Sequence, residues 1–390
     1  MRHFPPVYTP VHARALGRAL TSLWARVDRA EVTVLSADRR FSGRSVLLVG
    51  SGTSALTLAL RPLRGGAVAL PAYCCPDVAT SAIGAGCRIL LYDTDPRTLV
   101  PNWESVQRCL EAGAHGVVVS HLFGRIIDLA PARELVARYG AVLVEDAAQA
   151  AGGSRNGQAA GMQADVSVFS FGRGKGLNAG GGGALSVSAE RWASDWNSQW
   201  PVLPMPGRFR GLAAVAKTAA AEVLSQPPLY ALPARMPALG LGRTIFHPPS
   251  PVHAPTAATR RLIFEALADE PTLLAARRSV EAWYYEKLIE WPELLVAAPQ
   301  SGECSGALRF PIRIPQVGAQ PLARFGVARS YPRVLRGYPE IQPHLLAPDV
   351  ALPGAEELAR MLHTLPTHGL LGEQDRQALV RELTSRYSDS

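Results

Sequence analysis

The sequence predicts an α/β fold, with a mainly parallel sheet sandwiched by helices in a large domain and a smaller α+β domain at the C-terminus. Three observations carry this. From residue 45 to about 188, short β-rich runs alternate with helix-like segments, as in βα units that build a parallel sheet. The runs are apolar throughout, as strands buried on both faces are. After a proline cluster at 247–251 (HPPSP), which breaks any helix, the composition turns helical, then β-rich, then helical again.

Taken in order, residues 11–28 alternate apolar and basic positions with a helical period and form a leading helix. The strands follow at 45–49 (SVLLV), 67–70 (AVAL), 88–91 (RILL), 116–119 (GVVV) and 141–144 (AVLV). Runs 166–169 (VSVF) and 184–187 (ALSV) then come close together without a helix-sized spacer, so the βα rhythm breaks there. Residues 211–224 (GLAAVAKTAAAEVL) are a strong helix former, and 226–240 (QPPLYALPARMPALG) reads as an irregular connector, a lid or an interface. A helix from about 257 to 290, a β-rich stretch at 307–314 (ALRFPIRI) and a helix near 373–383 make the second domain. The boundary falls near residue 250, giving a large domain at 1–250, with a helical and proline-rich insertion at 208–245, and a small domain at 251–390.

A chain of 390 residues suits two domains, and 47% hydrophobic with 18% charged residues describes a soluble globular protein with ample core. The five cysteines are odd in number and lack CxxC spacing, which suggests neither a disulfide framework nor a zinc site and fits the cytoplasm. The N-terminus, MRHFPPVYTP, lacks the apolar core of a signal peptide, and no run of about 20 apolar residues is present. The expectation is a protein neither exported nor integral to a membrane. A net charge of +8 suits phosphorylated small molecules, although a generally basic surface explains it equally well, and no nucleic-acid motif is present.

Three segments carry candidate chemistry. Residues 144–150 (VEDAAQA) begin at the carboxyl end of a buried strand, where open α/β sheets gather ligand-binding groups. Asp146 is either such a group or a helix N-cap, and Gln149 either joins it or completes a capping box. Residues 50–56 (GSGTSAL) follow the first strand and open a helix. Glycines with hydroxyls at a helix N-terminus bind phosphate, though a plain turn has the same composition, and the segment matches neither GxxxxGK[ST] nor GxGxxG. Residues 169–177 (FSFGRGKGL) set Lys175 among glycines after Ser170. Lys175 is a solvated residue, a phosphate clamp or a nucleophile. A phosphate cradle, a carboxylate and a lysine at three strand ends are what pyridoxal 5'-phosphate needs for its phosphate, its ring nitrogen and its aldehyde.

With these segments the sequence resembles the DegT/DnrJ/EryC1/StrS family of pyridoxal-phosphate sugar aminotransferases. The likeness lies in GTSALTLAL, LPAYCCPDVATSAI, YDTDPRTL, SHLFG, VEDAAQAAG, FSFGRGKGL and HTLPTHGLL, in the family's order along most of the chain. It implies the transferase fold of type I, the one of aspartate aminotransferase. It also implies a cytoplasmic homodimer that moves an amino group from glutamate or glutamine to a nucleotide-linked keto sugar in polysaccharide, glycoconjugate or secondary-metabolite biosynthesis. By this resemblance Lys175 is the Schiff-base lysine and proton shuttle, Asp146 the partner of the ring nitrogen, and Gln149 a residue lying against the ring. Ser170, Gly52 and Thr53 are phosphate ligands. His121, in HLFG, either supports the site or is structural.

The chain also departs from the family. Where an aromatic residue stacks on the cofactor it has Cys75, with Tyr73 two positions earlier, so either Tyr73 substitutes or stacking is weaker. The family's GEGG reads GGGG at 180–183, and the NYR motif through which a neighbouring subunit reaches the phosphate and substrate is replaced near FHPPSPVHAP. His247, Ser250 and His253 are the candidates for its role. Arg173 either adds positive charge near the phosphate or faces solvent. A dehydratase of the same fold would carry histidine in place of Lys175, which argues against it. A non-catalytic protein on the same scaffold is the third reading, touching a membrane surface through 208–242; the Ala-rich composition favours instead a helix packed on the protein or across a dimer interface.

Overall fold

The computed structural model describes residues 3–24, 38–188, 202–234, 244–314 and 320–385. The first half of the chain contributes α1 (Ala13–Thr21), β1 (Arg44–Val49), α2 (Gly52–Leu60), β2 (Ala67–Pro71), α3 (Pro76–Ala85) and β3 (Arg88–Tyr92). It continues with α4 (Trp103–Glu111), β4 (Ala114–Ser120), α5 (Ala130–Tyr139), β5 (Val142–Asp146), the short strands β6 (Ser154–Arg155) and β7 (Gln158–Ala159), then β8 (Val166–Ser170) and β9 (Gly183–Ser188). Among the described residues the central sheet has seven strands in the order β1-β9-β8-β5-β4-β2-β3. The pairs from β3 to β8 are parallel, and β9 runs antiparallel to both β8 and β1. The missing helix between the last two predicted strands is thereby explained, because β8 and β9 form an antiparallel pair joined by the loop that holds Lys175.

Side-chain alternation shows why the strands read as apolar runs. Val68, Leu70, Val118, Val142 and Val144 pack on one face with Leu56, Val78 and Ala79 from α2 and α3. Ala67, Ala69, Val117, Val119 and Leu143 pack on the other face with Val106, Cys109, Leu135 and Val136 from α4 and α5. Period-two alternation with a helix layer on each side leaves no solvent face. β1 departs from the expectation of full burial: it is an edge strand and half-buried over most of its length.

The second half contributes α6 (Arg208–Leu224), α7 (Pro227–Ala234), α8 (Ala257–Leu288), β10 (Glu303–Cys304), β11 (Arg309–Arg313), α9 (Pro353–Met361), β12 (Leu362–Pro366) and α10 (Glu373–Ser385). The expected irregular connector instead begins with α7. Pro227 and Pro228 sit in its first turn, where a helix needs no amide donors; the rest of that stretch, and the end of the leading helix beyond residue 24, lie outside the described residues. Helix α8 starts at Thr256, whose hydroxyl accepts from the Thr259 amide. Its first half packs Leu262, Ile263 and Phe264 against α1 and Phe169. Its second half places Tyr284 and Leu288 against Phe310 and Ile312 of β11 and Leu379 of α10. Residues Tyr331, Leu335, Ile341 and Leu358 pack into the same core as β2 and β4. The C-terminal part is thus joined to the sheet both by α8 and by this shared core.

Candidate active site

The parallel strands β5 and β8 end on one edge of the sheet, at Asp146 and Ser170, and β1 ends beside them at Val49. There a cavity of about 240 Å³ is lined by Ser51, Gly52, Thr53, Cys75, Asp77, Ser81, Asp146, Ser170 and Lys175, far above the roughly 10–15 Å³ that one water needs. Six of the residues singled out from the sequence therefore share one space: Gly52, Thr53, Cys75, Asp146, Ser170 and Lys175.

Each is positioned by local rules. Ser51 caps α2, its Oγ accepting from the Ser54 amide at 3.0 Å, which leaves the amides of the first turn facing the cavity. A Cβ on Gly52 would lie 2.6 Å from Ser170 Cβ, so only glycine lets the helix N-terminus meet the end of β8. A Cβ on Gly183 would lie 2.5 Å from the Ser51 carbonyl oxygen, which accounts for glycine at that position of the 180–183 run. No helix follows β5, so Asp146 is not an N-cap: its Oδ2 accepts from Ser120 Oγ at 2.9 Å and its Oδ1 from the Ala148 amide at 3.1 Å. The Lys175 backbone is pinned by Thr9 Oγ1, which donates to its carbonyl at 2.6 Å, while among the described residues no group is hydrogen-bonded to its amine.

Other predicted residues lie elsewhere. Tyr73 is wholly buried and packs edge-on against Tyr331 at 5.3 Å between ring centres; the cavity wall at this place is Cys75, whose thiol burial pushes up to about 12, Asp77 adding to the effect and Lys175 opposing it. Gln149 is held at both ends, its Oε1 accepting from the Phe123 amide at 3.2 Å and its Nε2 donating to the Tyr331 hydroxyl at 2.7 Å. His121 has no route to a substrate, being 1% exposed, with Nε2 on Glu145 at 2.8 Å and Nδ1 accepting from the Ile127 amide. Burial opposes the charge on Glu145, but His121 and the Gly161 and Gln163 amides outweigh it and hold the carboxyl below its ordinary range.

Arg173 is directed away from the cavity. Gly174 between it and Lys175 adopts a left-handed φ of +82°, and Arg173 lines a second, smaller space with Tyr8, Asn178, Lys217 and Glu222. His247 is exposed, with Nδ1 3.1 Å from the Asp77 carboxylate at the cavity rim. Ser250 is exposed as well. His253 lies behind the cradle, its ring where a Cβ of Gly50 would be and its carbonyl accepting from the Gly50 amide. Sequence reading missed Ser120 and Tyr331. Ser120 carried a usable signal, since it ends an apolar strand as Asp146 does; Tyr331 carried none, arriving from 182 residues beyond its partner Gln149.

The donor set fits pyridoxal phosphate. A helix N-terminus with the hydroxyls of Thr53 and Ser170 suits the phosphate, a carboxylate held in place by two hydrogen bonds suits a protonated ring nitrogen, and an amine with no hydrogen-bond partner among the described residues suits the aldehyde.

Comparison with known proteins agrees with the motifs. Residues 39–198 match the model of the DegT/DnrJ/EryC1/StrS aminotransferase family. The chain is 32% identical over 214 residues to an L-glutamine:2-deoxy-scyllo-inosose aminotransferase of Streptoalloteichus tenebrarius, a match covering 50% of each chain. It is 32% identical over 143 residues to a UDP-N-acetyl-3-dehydro-alpha-D-glucosamine 3-aminotransferase of Acidithiobacillus ferrooxidans, covering 36% of this chain and 39% of that protein. The matches thus span about half or less of these relatives. The crystal structure of a DegT DnrJ EryC1 StrS aminotransferase from Brucella abortus superposes with a TM-score of 0.72 at 19% identity, over 96% of this chain and 95% of that one. The fold is that of this group over nearly the whole chain.

Proposed function

We propose that this chain is an aminotransferase of the DegT/DnrJ/EryC1/StrS family, dependent on pyridoxal phosphate, that moves an amino group from glutamate or glutamine to a keto sugar, nucleotide-linked. The observation that carries this is the convergence of Asp146, Ser170, Lys175 and the N-terminus of α2 on one cavity. The names of the relatives, which include a glutamine-dependent aminotransferase and one acting on a UDP-linked keto sugar, support the donor and acceptor classes.

When bound, the cofactor supplies an electron-withdrawing ring and an aldehyde that can carry an amino group. The protein's part is binding and proton control. The first turn of α2, Thr53 and Ser170 would hold the phosphate, and Cys75 would contribute to the wall beside the ring. The Asp146 carboxylate, fixed by Ser120 and the Ala148 amide, would keep the ring nitrogen protonated. Lys175 Nζ would take up and return the proton at the substrate carbon.

A homodimer in the cytoplasm belongs to the same proposal. It is supported by the five free cysteines and by α6, which buries Gly211, Val215 and Thr218 yet leaves Phe209 90% exposed, with Leu212 and Val223 exposed further along it. Among the described residues no helix is long and apolar enough to cross a membrane.

The test is spectroscopic. Purified protein should take up pyridoxal 5'-phosphate with a visible absorption band that shifts when L-glutamate is added, and Lys175→Ala should show neither the band nor transamination. A protein that stays colourless on addition of the cofactor, or a K175A variant that transaminates, would overturn the assignment.

A further inference from the structure

The loop that carries Lys175 borders two cavities. Gly172, Lys175 and Gly181 line the one described above, whereas Arg173, Gly174, Asn178 and Gly180 line a separate space of about 150 Å³, across from Lys217 and Glu222 of α6. The left-handed φ of Gly174, +82°, turns the chain between Arg173 and Lys175, so the guanidinium and the amine leave the loop towards different cavities. Helix α6 is seated directly on this loop, since a Cβ on Gly180 would overlap Thr218 Oγ1.

The neutral polar groups of this second space are already used. Thr9 Oγ1 donates to the Lys175 carbonyl at 2.6 Å. Asn178 donates to the Thr9 carbonyl and accepts from the Gly180 amide, both at 2.9 Å, and Thr218 and Ser225 each donate to a carbonyl of α6 at 2.7 Å. The one carboxylate on the wall, Glu222, accepts from the Tyr8 hydroxyl and from the Val11 amide. Arg173 and Lys217 differ: among the described residues neither donates a hydrogen bond nor joins an ion pair. Two cations bordering so small a space repel each other, and with the neutral groups paired the occupant that relieves this is an anion.

We propose that the space between the Lys175 loop and α6 is a second phosphate site, separate from the cofactor cradle, in which Arg173 and Lys217 hold inorganic phosphate or a small phosphate monoester and so clamp the loop to α6. A phosphate group carries about −1.5 to −2 charges at pH 7, which matches two cations better than a carboxylate does, and it accepts from a guanidinium fork and a lysine ammonium alike. The volume of about 150 Å³ is below the roughly 300–1,000 Å³ of pockets that enclose larger ligands, so the site suits a small anion and not a whole nucleotide. Because Thr9 holds the Lys175 carbonyl from the wall of the same space, an anion there steadies the backbone from which the Lys175 amine extends.

The experiment titrates inorganic phosphate, and separately glycerol 3-phosphate, into the protein by calorimetry after pyridoxal 5'-phosphate has filled the cradle. One equivalent should bind, at least tenfold more weakly in Arg173→Gln and in Lys217→Gln and not measurably in the double variant. Both side chains are exposed, so without phosphate the variants should melt as the wild type does. Saturating phosphate should also slow hydrogen exchange of the backbone amides at 172–182 at least threefold in the wild type and not in the double variant. Binding of inorganic phosphate alone would assign the site to the free ion, and binding of both probes to an esterified phosphate as well; each supports the site. Absence of binding, or binding equal in wild type and double variant, overturns the inference. Binding seen only while the cradle is empty overturns it too, since the anion then sits with Thr53 and Ser170, and binding without slowed exchange removes the clamp and the proposal with it. A protein that takes up no cofactor is titrated as it is, alongside Ser170→Ala: phosphate binding that survives S170A and is lost in the double variant upholds this site while the aminotransferase reading falls.

Discussion

At the scale of single residues, Asp146 and Glu145 are neighbours in sequence with opposite surroundings. Asp146 opens into the cavity and is held by two hydrogen bonds, whereas Glu145 is fully enclosed and accepts from His121, Gly161 and Gln163. Substitution should separate their roles. Asp146→Asn keeps the shape and the Ser120 contact but removes the charge proposed to keep the cofactor's ring nitrogen protonated, so kcat should fall about a hundredfold or more with the melting temperature nearly unchanged. Steady-state kinetics and a thermal scan of the same preparation check both halves, and a kcat within a few-fold of wild type would dismiss the role given to Asp146. Glu145→Gln puts an amide NH2 where the Gly161 or Gln163 amide donates, and removes the charge that pairs with His121. It should destabilise by about 3 kcal/mol, read as a lower urea midpoint, while the folded fraction still binds cofactor. Asp146 and Ser170 could be singled out from the sequence because each ends a strand, and the structure brings both to the cavity. At His121 the sequence left two readings open, because nothing in HLFG reveals that a buried glutamate on the next strand takes the imidazole.

At the scale of elements, the strands were legible because both faces of β2, β4 and β5 are covered, which forces apolar residues at consecutive positions. The same signal could not tell edge from centre, so β1 looked like its neighbours despite being half-buried. The hairpin β6–β7 went unread although Asn156 and Gly157, at φ of +48° and +80°, make the turn, because its two-residue strands offer no alternation to detect. The cradle is likewise a product of elements, since α2, β8 and the 180–183 run meet through glycines that no flanking pattern marks as contacts. Gly183→Ala tests this directly. Its new methyl would face the Ser51 carbonyl and the Gly52 amide, at 2.5 and 2.8 Å, and backbone cannot swing aside as a side chain can. The start of α2 should be pushed from β9, weakening cofactor uptake tenfold or more in a spectral titration, with a loss of about 1–3 kcal/mol in stability. Uptake at wild-type affinity would show that the cradle tolerates the displacement.

At the scale of the whole molecule, the N-terminal segment ties the lysine loop to the C-terminal part. Thr9 donates to the Lys175 carbonyl and accepts from Arg277, Asn178 donates to the Thr9 carbonyl, and His368, from the stretch after β12, lies on Tyr8 and donates through Nε2 to the Pro5 carbonyl. None of these contacts was legible, because each joins residues more than 160 positions apart whose types suit many other partners. Their existence has a pH signature. Burial lowers the pKa of His368 from the ordinary 6.5 to about 4, partly offset by the Pro5 hydrogen bond and reinforced by the nearby charges of Arg277 and Arg309. The neutral imidazole is therefore the form the folded protein holds. Above pH 6.5 neither state protonates it and its contribution is complete; as pH falls towards 4 the unfolded chain takes a proton that the folded chain refuses, so stability is lost across that window, by about 3 kcal/mol in all. His368→Gln can keep a donor to Pro5 but cannot titrate. Urea unfolding at intervals from pH 7 to pH 4 should show a steep loss in the wild type and a shallower one in H368Q, the two curves converging at the acid end. Parallel curves would mean that the imidazole reaches solvent and that the N-terminal tie is looser than the buried contact with Pro5 implies.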